Sequence, residues 1–116
     1  MLIYKIFREN EWDALRATAE TDGAPIDVAD GYVHLSTAGQ VEETAAKHFS
    51  DQDGLMLLAL EAEALGSALR WEQSRGNALF PHLYRKLNMR DVVWAQPLPL
   101  KGDVHQFPPG LAEASE

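Results

Sequence analysis

The chain has 116 residues, no cysteine, and a formal net charge of −8 from ten Lys and Arg against eighteen Asp and Glu. The lack of cysteine excludes disulfides and CxxC zinc or redox motifs, and the acidity argues against nucleic acid as a partner, because a polyanion would meet net repulsion. The longest apolar run, 55–60, is far shorter than the roughly 20 residues of a membrane helix, and the first residues lack a signal-peptide layout, so we expect one cytoplasmic domain without a membrane span.

In the first half of the chain, strand and helix patterns alternate. Residues 2–7 (LIYKIF) are β-branched and aromatic with a period of two, which predicts a strand. A helix capped by Asn10 follows, and 22–30 (DGAPIDVAD) has the composition of a loop. Residues 31–37 (GYVHLST) predict a second strand. A capping box then starts a helix over 38–49.

The second half of the chain is dominated by strand patterns. The apolar run 55–60 (LMLLAL) predicts a central strand covered on both faces, and 61–66 predicts one helical turn. Residues 69–73 alternate as a strand, whereas 80–84 (FPHLY), which contains a proline, indicates a rigid loop or an edge strand. The last predicted strand lies within 91–98.

These elements define the expected fold class. Two main helices among about five strands, without a regular βαβ order or a phosphate-binding glycine loop, predict an α+β fold. We expect one compact domain over residues 1–100. Residues 101–116, which contain a Pro-Pro-Gly run, are expected to be a loosely attached C-terminal tail.

The strand predicted over 31–37 carries the first group of chemically active side chains. Its alternation places Tyr32, His34 and Ser36 on one face. A histidine and a serine two residues apart are suited to hydrogen-bonding a polar ligand. A buried, satisfied imidazole and a helix-capping serine would give the same pattern, so both interpretations stay open.

The spacing of the histidines does not favour a metal site. The four histidines are far apart in sequence and form no HExxH motif, so we predict no metal. His48 is expected to pack on the buried side of its helix, and His105 to be exposed in the tail. The carboxylates Asp27 and Asp30 are interpreted as surface groups.

A basic segment interrupts the acidic chain. Residues 70–90 contain five Lys and Arg and one acid, a charge of +4 that leaves −12 for the remainder. Such a segment suits a small anionic ligand that carries a phosphate or carboxylate. The alternative is that these cations pair with acids elsewhere in the chain.

The same segment contains a second polar and aromatic cluster, whose candidate residues are Arg70, Trp71, Glu72, His82 and Tyr84. Aromatic rings stack on planar heterocycles, an arginine binds phosphate, and a carboxylate stabilises developing positive charge. This combination is typical of a nucleotide site. The alternative is that the rings belong to the core and the charges to the surface.

Three motifs in this order, GYVHLST at 31–37, LRWE at 69–72 and LFPHLY at 79–84, make the chain resemble the small bacterial domain-of-unknown-function family 952 over about residues 2–99. That family has been grouped with the ADP-ribosyltransferase-like superfamily, a split β-sheet fold that holds NAD in a cleft. The resemblance implies a split antiparallel or mixed sheet and NAD as a substrate. A glutathione S-transferase label that some members carry does not suit a chain of this length without cysteine.

The resemblance also implies ligand-binding roles in both clusters. His34 would bond a ribose hydroxyl of the nicotinamide nucleotide and Ser36 its amide, with Tyr32 beside them on the same face. An aromatic ring or a histidine from a later strand normally covers the nicotinamide. The candidates for this position are Tyr84, Trp71 and His82.

A glutamate on a late strand is the usual catalytic group of the superfamily. The last predicted strand, VVWAQPL, contains no acid, and Glu72 is the nearest candidate. In branches without this glutamate, histidine and arginine act instead, which would give His82, Arg70 and Arg75 larger roles. The catalytic candidates are His34, Glu72 and His82.

Three functions stay open from the sequence. The leading hypothesis is a domain that binds NAD and cleaves the nicotinamide N-glycosidic bond, as an ADP-ribosyltransferase or NAD glycohydrolase, with Glu72 stabilising the oxocarbenium ion. The first alternative is a non-catalytic module that binds or senses a small anionic ligand. The second alternative is a protein-interaction domain with an exposed aromatic patch.

Overall fold

Short strands and helices follow one another irregularly over residues 1–109 and 111, the part of the chain that the computed structural model describes. The strands are β1 (Leu2–Arg8), β2 (Glu20–Thr21), β3 (Val33–His34), β4 (Ser36–Thr37), β5 (Leu55–Glu61), β6 (Leu69–Gln73), β7 (Leu79–Leu83), β8 (Leu87–Asn88), β9 (Val92–Leu98), β10 (Leu100–Lys101) and β11 (Val104–His105). The α-helices are α1 (Glu9–Thr18), α2 (Pro25–Asp30) and α3 (Ala38–His48), and 3₁₀ segments cover Ala62–Ala68, Arg75–Asn77 and Met89–Asp91.

Two antiparallel sheets carry the architecture. The larger sheet has the strand order β4-β1-β5-β9 and the smaller sheet the order β3-β7-β6, while β2-β8 and β10-β11 are two-stranded ribbons. The strand pairs of the described residues are antiparallel. Antiparallel sheets with helices packed beside them confirm the predicted α+β class.

The larger sheet is covered on both faces because side chains alternate along its strands. On one face, Ile3 and Phe7 of β1 pack with Leu15 of α1 and with the smaller sheet. On the other face, Tyr4 of β1 packs with the buried side chains of α3. β5 lies between β1 and β9 and is apolar over most of its length for this reason, which confirms the central strand predicted over 55–60.

The helices differ from the prediction at two places. α1 begins at Glu9 rather than after Asn10, because the third helical side chain accepts the N–H of the residue before the helix. Within 22–30, which were predicted as a loop, Pro25–Asp30 forms α2. This helix has proline at its first position and ends at Gly31 with a left-handed φ of 87°. The two main helices of the described residues are thus α1 and α3, as expected, and α2 is a short third α-helix.

β7 is the central strand of the smaller sheet although it contains Pro81, so the loop or edge strand predicted over 80–84 is wrong. The proline is tolerated because β3 ends at His34, opposite His82, and the ladder on that side needs no N–H from Pro81. The Pro81 carbonyl still accepts the Leu35 N–H at 3.0 Å.

The single strand predicted over 31–37 is divided between the two sheets. β3, which ends at His34, pairs with β7 in the smaller sheet. Ser36 pairs with Tyr4 of β1 in the larger sheet. Leu35, only 2% exposed, lies at the crossing between them. His34 and Ser36 therefore belong to different sheets rather than to one face of one strand.

The described part of the C-terminal segment packs against the domain. β10 and β11 form a hairpin, and His105 is 8% exposed with its Nε2 2.7 Å from the Gln52 carbonyl oxygen. Leu111 is buried in the cluster that covers α3. The prediction of an exposed His105 is therefore wrong, and the residues of 101–116 that the structure describes are attached rather than loose. Residues 110 and 112–116, the rest of the predicted tail, lie outside the described residues.

Truncation of Leu58 tests the central position of β5 in the core. Leu58 is fully buried, so Leu58→Ala should lower the free energy of unfolding by about 2–5 kcal/mol through lost burial and a residual cavity. Leu79→Ala, at a position that is 52% exposed on β7, should change it by less than about 0.5 kcal/mol. Urea denaturation of both variants measures the difference, and equal losses would contradict this description of the core.

Candidate functional site

A cleft with a volume of about 730 Å³ opens where the two sheets separate, between β1, α2, α3 and the ends of β3 and β4. We call it the split-sheet cleft. Its volume lies within the range of about 300–1,000 Å³ that is usual for small-molecule sites. The polar residues that line it are Lys5, Arg8, Asn10, Glu11, Asp30, Tyr32, His34, Ser36, Thr44, His48, Ser74 and His82.

His34 is held at the wall of the cleft by the hydrogen bonds and polar contacts of its backbone and ring. Its backbone N–H donates to Asp27 Oδ1 at 2.9 Å, and its ring Nδ1 lies 2.6 Å from the same oxygen. Its ring Nε2 lies 2.9 Å from Asp30 Oδ2. Its carbonyl oxygen accepts a hydrogen bond from Lys5 Nζ at 3.0 Å. These contacts fix both the backbone and the ring of His34.

Lys5 and Asp27 form a buried ion pair behind this histidine. Lys5 Nζ lies 2.7 Å from Asp27 Oδ2, and the two side chains are 6% and 0% exposed. Burial lowers the pKa of Lys5, against the opposing attraction of Asp27. Burial acts to raise the pKa of Asp27, but the hydrogen bond from His34 and the charge of Lys5 outweigh it and hold that pKa below its ordinary value. Asp27 is therefore ionised at neutral pH.

The Tyr32 ring joins the aromatic groups of the two sequence clusters. Its centroid lies 4.6 Å from that of His34, 4.2 Å from that of His82 and 5.1 Å from that of Tyr84. His34 and His82 pair directly across β3 and β7, and their ring centroids are 5.4 Å apart. The two clusters, which are far apart in sequence, therefore meet on one face of the smaller sheet.

Glu72 is anchored at the edge of this aromatic group. Its Oε1 lies 2.8 Å from His82 Nδ1 and accepts the Tyr84 O–H at 2.7 Å. The hydrogen bonds from Tyr84 and His82 lower the pKa of Glu72, and the bond to Glu72 raises the pKa of Tyr84. The Arg70 guanidinium lies 4.9 Å from the centre of the Tyr84 ring. Glu72 is thus an ionised carboxylate beside a histidine that lines the cleft.

Most of the residues predicted for the site come together. Those that line the cleft are Tyr32, His34, Ser36 and His82. Those that adjoin it through His82 and Tyr32, without lining it, are Arg70, Glu72 and Tyr84. Ser36 is 5% exposed, and its hydroxyl oxygen lies 3.1 Å from the Thr44 hydroxyl oxygen on α3.

One predicted ligand-binding residue of the described part of the chain, Trp71, does not line the cleft. Trp71 pairs with Pro81, so strand alternation directs it to the opposite face of β6 from Arg70 and Glu72. It is 40% exposed there. The side chain of Arg75, the other predicted residue, lies outside the described part of the structure.

Two of the five cations of the basic segment 70–90, Arg85 and Lys86, pair with acids. Arg85 makes two hydrogen bonds with the Asp91 carboxylate, at 2.8 and 3.1 Å. Lys86 Nζ lies 3.0 Å from Asp22 Oδ2. The structure therefore supports, for these two cations, the alternative interpretation that they pair with acids elsewhere in the chain.

Sequence reasoning missed three residues of the cleft region. Asp27, expected at the surface, is 1% exposed and bonds His34. His48, expected on the buried side of α3, is exposed and lines the cleft, because the helix ends at this residue. Lys5 was not predicted as a site residue. The sequence does mark it, since a lysine occupies an inward-facing position of an otherwise apolar strand.

The model of the family described as "Protein of unknown function (DUF952)" matches residues 6–95. The chain belongs to this family. The DUF952 membership expected from the three motifs is thereby confirmed, and those motifs supply most of the residues described above. Comparison with curated proteins finds no match to the sequence.

The fold of this DUF952 chain is similar to solved structures of protein CC0527 from Caulobacter crescentus. The crystal structure of that protein is 50% identical in sequence, with a TM-score of 0.92, and the match covers 97% of this chain and 99% of that one. Its solution NMR structure is 49% identical, with a TM-score of 0.81, and covers 97% and 95%. The similarity extends over the whole domain, including the elements that form the cleft.

Two further features of the DUF952 chain concern membranes and metals. Across residues 1–109 and 111, no helix combines the length and the apolar character that crossing a membrane requires. The same residues contain no group of three or more His, Asp or Glu side chains arranged to hold a metal ion. The side chains that line the cleft offer hydrogen bonds, aromatic faces and charge.

Removal of the Tyr84 hydroxyl tests the arrangement around Glu72. Tyr84→Phe should raise the pKa of Glu72, because the lost O–H donor stabilises the ionised carboxylate. A titration that follows the Glu72 carboxyl carbon by NMR measures this shift. Tyr4→Phe, on the larger sheet, is the control and should leave the Glu72 titration in place. An unchanged Glu72 pKa in Tyr84→Phe would contradict the hydrogen bond.

Proposed function

We propose that this domain binds NAD or a related nucleotide in the split-sheet cleft. The observation that carries the proposal is the position of His34 and Ser36, which belong to different sheets and both line the cleft beside the crossing at Leu35. In the ADP-ribosyltransferase-like superfamily that the chain resembles, the matching histidine and serine contact the ribose and the amide of the nicotinamide nucleotide. An imidazole and a hydroxyl on two walls of one cleft suit these contacts.

The aromatic surface of the cleft supports a planar ligand. Tyr32 is partly exposed, and its ring lies against both histidines of the site. Such a packed ring offers a stacking face at little cost in conformational entropy, because its neighbours already restrict it. The nicotinamide ring of the proposed ligand would lie at this end of the cleft.

Basic side chains at the other end of the cleft suit the phosphates of a nucleotide. Arg8 and His48 line the cleft beside α1 and α3. The Arg8 guanidinium lies 5.1 Å from the centre of the Phe49 ring and donates to Gln52 Oε1 at 3.1 Å and to Glu11 Oε2 at 3.4 Å, contacts that orient it. A planar guanidinium binds phosphate oxygens through parallel hydrogen bonds. The proposed pose therefore runs from Tyr32 to Arg8 and leaves segment 70–90 outside the phosphate contacts.

Calorimetric titration with NAD, ADP-ribose and nicotinamide mononucleotide tests the proposed binding. Tyr32→Ala should weaken binding by about 1–3 kcal/mol, roughly five- to 150-fold in Kd, as is usual for a lost stacking contact with a base. Trp71→Ala is the matched control, since this exposed aromatic residue faces away from the cleft, and its Kd should equal that of the wild type. No binding of any of the three ligands at millimolar concentration would contradict the proposal.

A second candidate function is cleavage of the nicotinamide N-glycosidic bond. The observation that favours it is the ionised Glu72 carboxylate, which is held by two donors next to His82 at the cleft wall. A fixed negative charge at this position would stabilise an oxocarbenium ion as the bond to nicotinamide breaks. Without turnover, the same geometry serves a module that binds or senses the nucleotide.

Chromatographic measurement of nicotinamide release from NAD separates the catalytic function from binding alone. If Glu72 stabilises the transition state only, Glu72→Gln should lower kcat by about 100- to 1,000-fold and leave the Kd for NAD nearly unchanged. Glu43→Gln on the surface of α3 is the control and should keep full activity. Full turnover in Glu72→Gln would contradict the glutamate mechanism, and no turnover in the wild type would leave binding as the function.

A further inference from the structure

All four polar atoms of His34 are bonded within the protein. The buried pair of Lys5 and Asp27 accounts for the carbonyl oxygen, the N–H and Nδ1, at 3.0, 2.9 and 2.6 Å. The fourth atom, Nε2, contacts Asp30, whose side chain is 44% exposed at the end of α2. Nε2 is therefore the atom that a ligand in the cleft reaches, by displacing Asp30.

The core itself does not require a charge at Lys5. The side chain extends from the same face of β1 as the buried Ile3 and Phe7, and the residue pairs with Leu58 of β5. A buried ion pair costs the desolvation of two charges, and apolar side chains of similar volume are often as stabilising or more so in its place. The presence of this pair beside the cleft points to a role other than packing.

We propose that Lys5 and Asp27 are positioning residues that fix the imidazole of His34 for its contact with the ligand. An ionised carboxylate only accepts hydrogen bonds, so Asp27 Oδ1 keeps a proton on Nδ1 and sets the plane of the ring. Lys5 balances the charge of Asp27 and holds the His34 carbonyl oxygen from the other side. Nε2 then faces an oxygen of the ligand. The inference rests on the proposed function only for the identity of that ligand, in which the oxygen is a ribose hydroxyl.

The backbone before α2 positions the Asp27 carboxylate. Asp27 Oδ2 also accepts a hydrogen bond from the Ala24 N–H at 2.8 Å, and this bond caps the helix. A Cβ at Gly23 would lie 2.3 Å from this same oxygen, and Gly23 has a φ of 105° that L side chains rarely adopt. Glycine at this position therefore lets the carboxylate approach the backbone and reach both Lys5 and His34.

NMR measurement of the ring nitrogens of His34 tests the proposal on the unmodified protein. In the absence of ligand, the ring is expected to carry a proton on Nδ1. A ring protonated on Nε2 alone would overturn the proposal, because Asp27 would then not hold the tautomer.

The double variant Lys5→Met, Asp27→Leu separates positioning from stability. These side chains keep the approximate volume of the pair without its charges. They leave the Ala24 and His34 N–H groups without their carboxylate acceptor, so the variant is expected to fold but to unfold at a lower urea concentration than the wild type. Asp30 is then the remaining carboxylate beside the His34 ring, so the ring proton should move from Nδ1 to Nε2. The affinity for ADP-ribose should fall by about 10- to 100-fold, because Nε2 no longer accepts a hydrogen bond and the ring is no longer held in its binding position. A folded variant that keeps both the proton on Nδ1 and the wild-type affinity would overturn the proposal.

Asp30→Asn is the matched control, since it alters the carboxylate at the other ring nitrogen. The proton should stay on Nδ1 in this variant, and a change of tautomer equal to that of the double variant would overturn the specific role of Asp27. If the tautomers behave as described and the wild type binds no nucleotide, the positioning role is supported and the proposed function is contradicted.

Discussion

The crossing of the chain at Leu35 is the constraint on which the site depends. Because Leu35 is buried and its N–H donates to the Pro81 carbonyl, the chain passes from the smaller to the larger sheet within a single residue. Two sheets that diverge from one point leave a wedge between them, and side chains on either side of that point face into it. His34 and Ser36 owe their shared cleft to this crossing rather than to the alternation of one strand.

The buried charges beside the crossing are the second determinant of the site. Lys5 and Asp27 are costly to desolvate, and their mutual attraction with the hydrogen bonds to His34 offsets that cost. The result is a rigid backbone and a fixed imidazole at the cleft wall. Groups that are held before a ligand arrives lose little entropy on binding, so rigidity of this kind favours recognition. Glu72, which adjoins the cleft, is fixed in the same way by its hydrogen bonds with His82 and Tyr84.

Local patterns in the sequence predicted the elements that local forces determine. The apolar run of β5 and the capping box of α3 appear in the structure nearly as expected, because burial on both faces and capping act within a few residues. The motifs also contain His34, Ser36 and His82, which line the cleft. Features that depend on strand order could not be predicted in this way. Trp71 was assigned to the site, yet the register of β6 against β7 turns it to the opposite face. Asp27 was predicted at the surface, because the local sequence of the six-residue helix α2 contains no sign that Asp27 pairs with a lysine on β1.

Mapping of amide chemical shift changes on titration with NAD shows where the nucleotide binds without presuming a reaction. The largest changes are expected at Tyr32, His34, Ser36 and His82 and along the cleft towards Arg8. The chemical shifts of β9 should stay unchanged, because β9 and β4 are the two opposite edge strands of the larger sheet. Saturable changes centred on β9, or no changes at millimolar NAD, would contradict the claim that the split-sheet cleft is a nucleotide site.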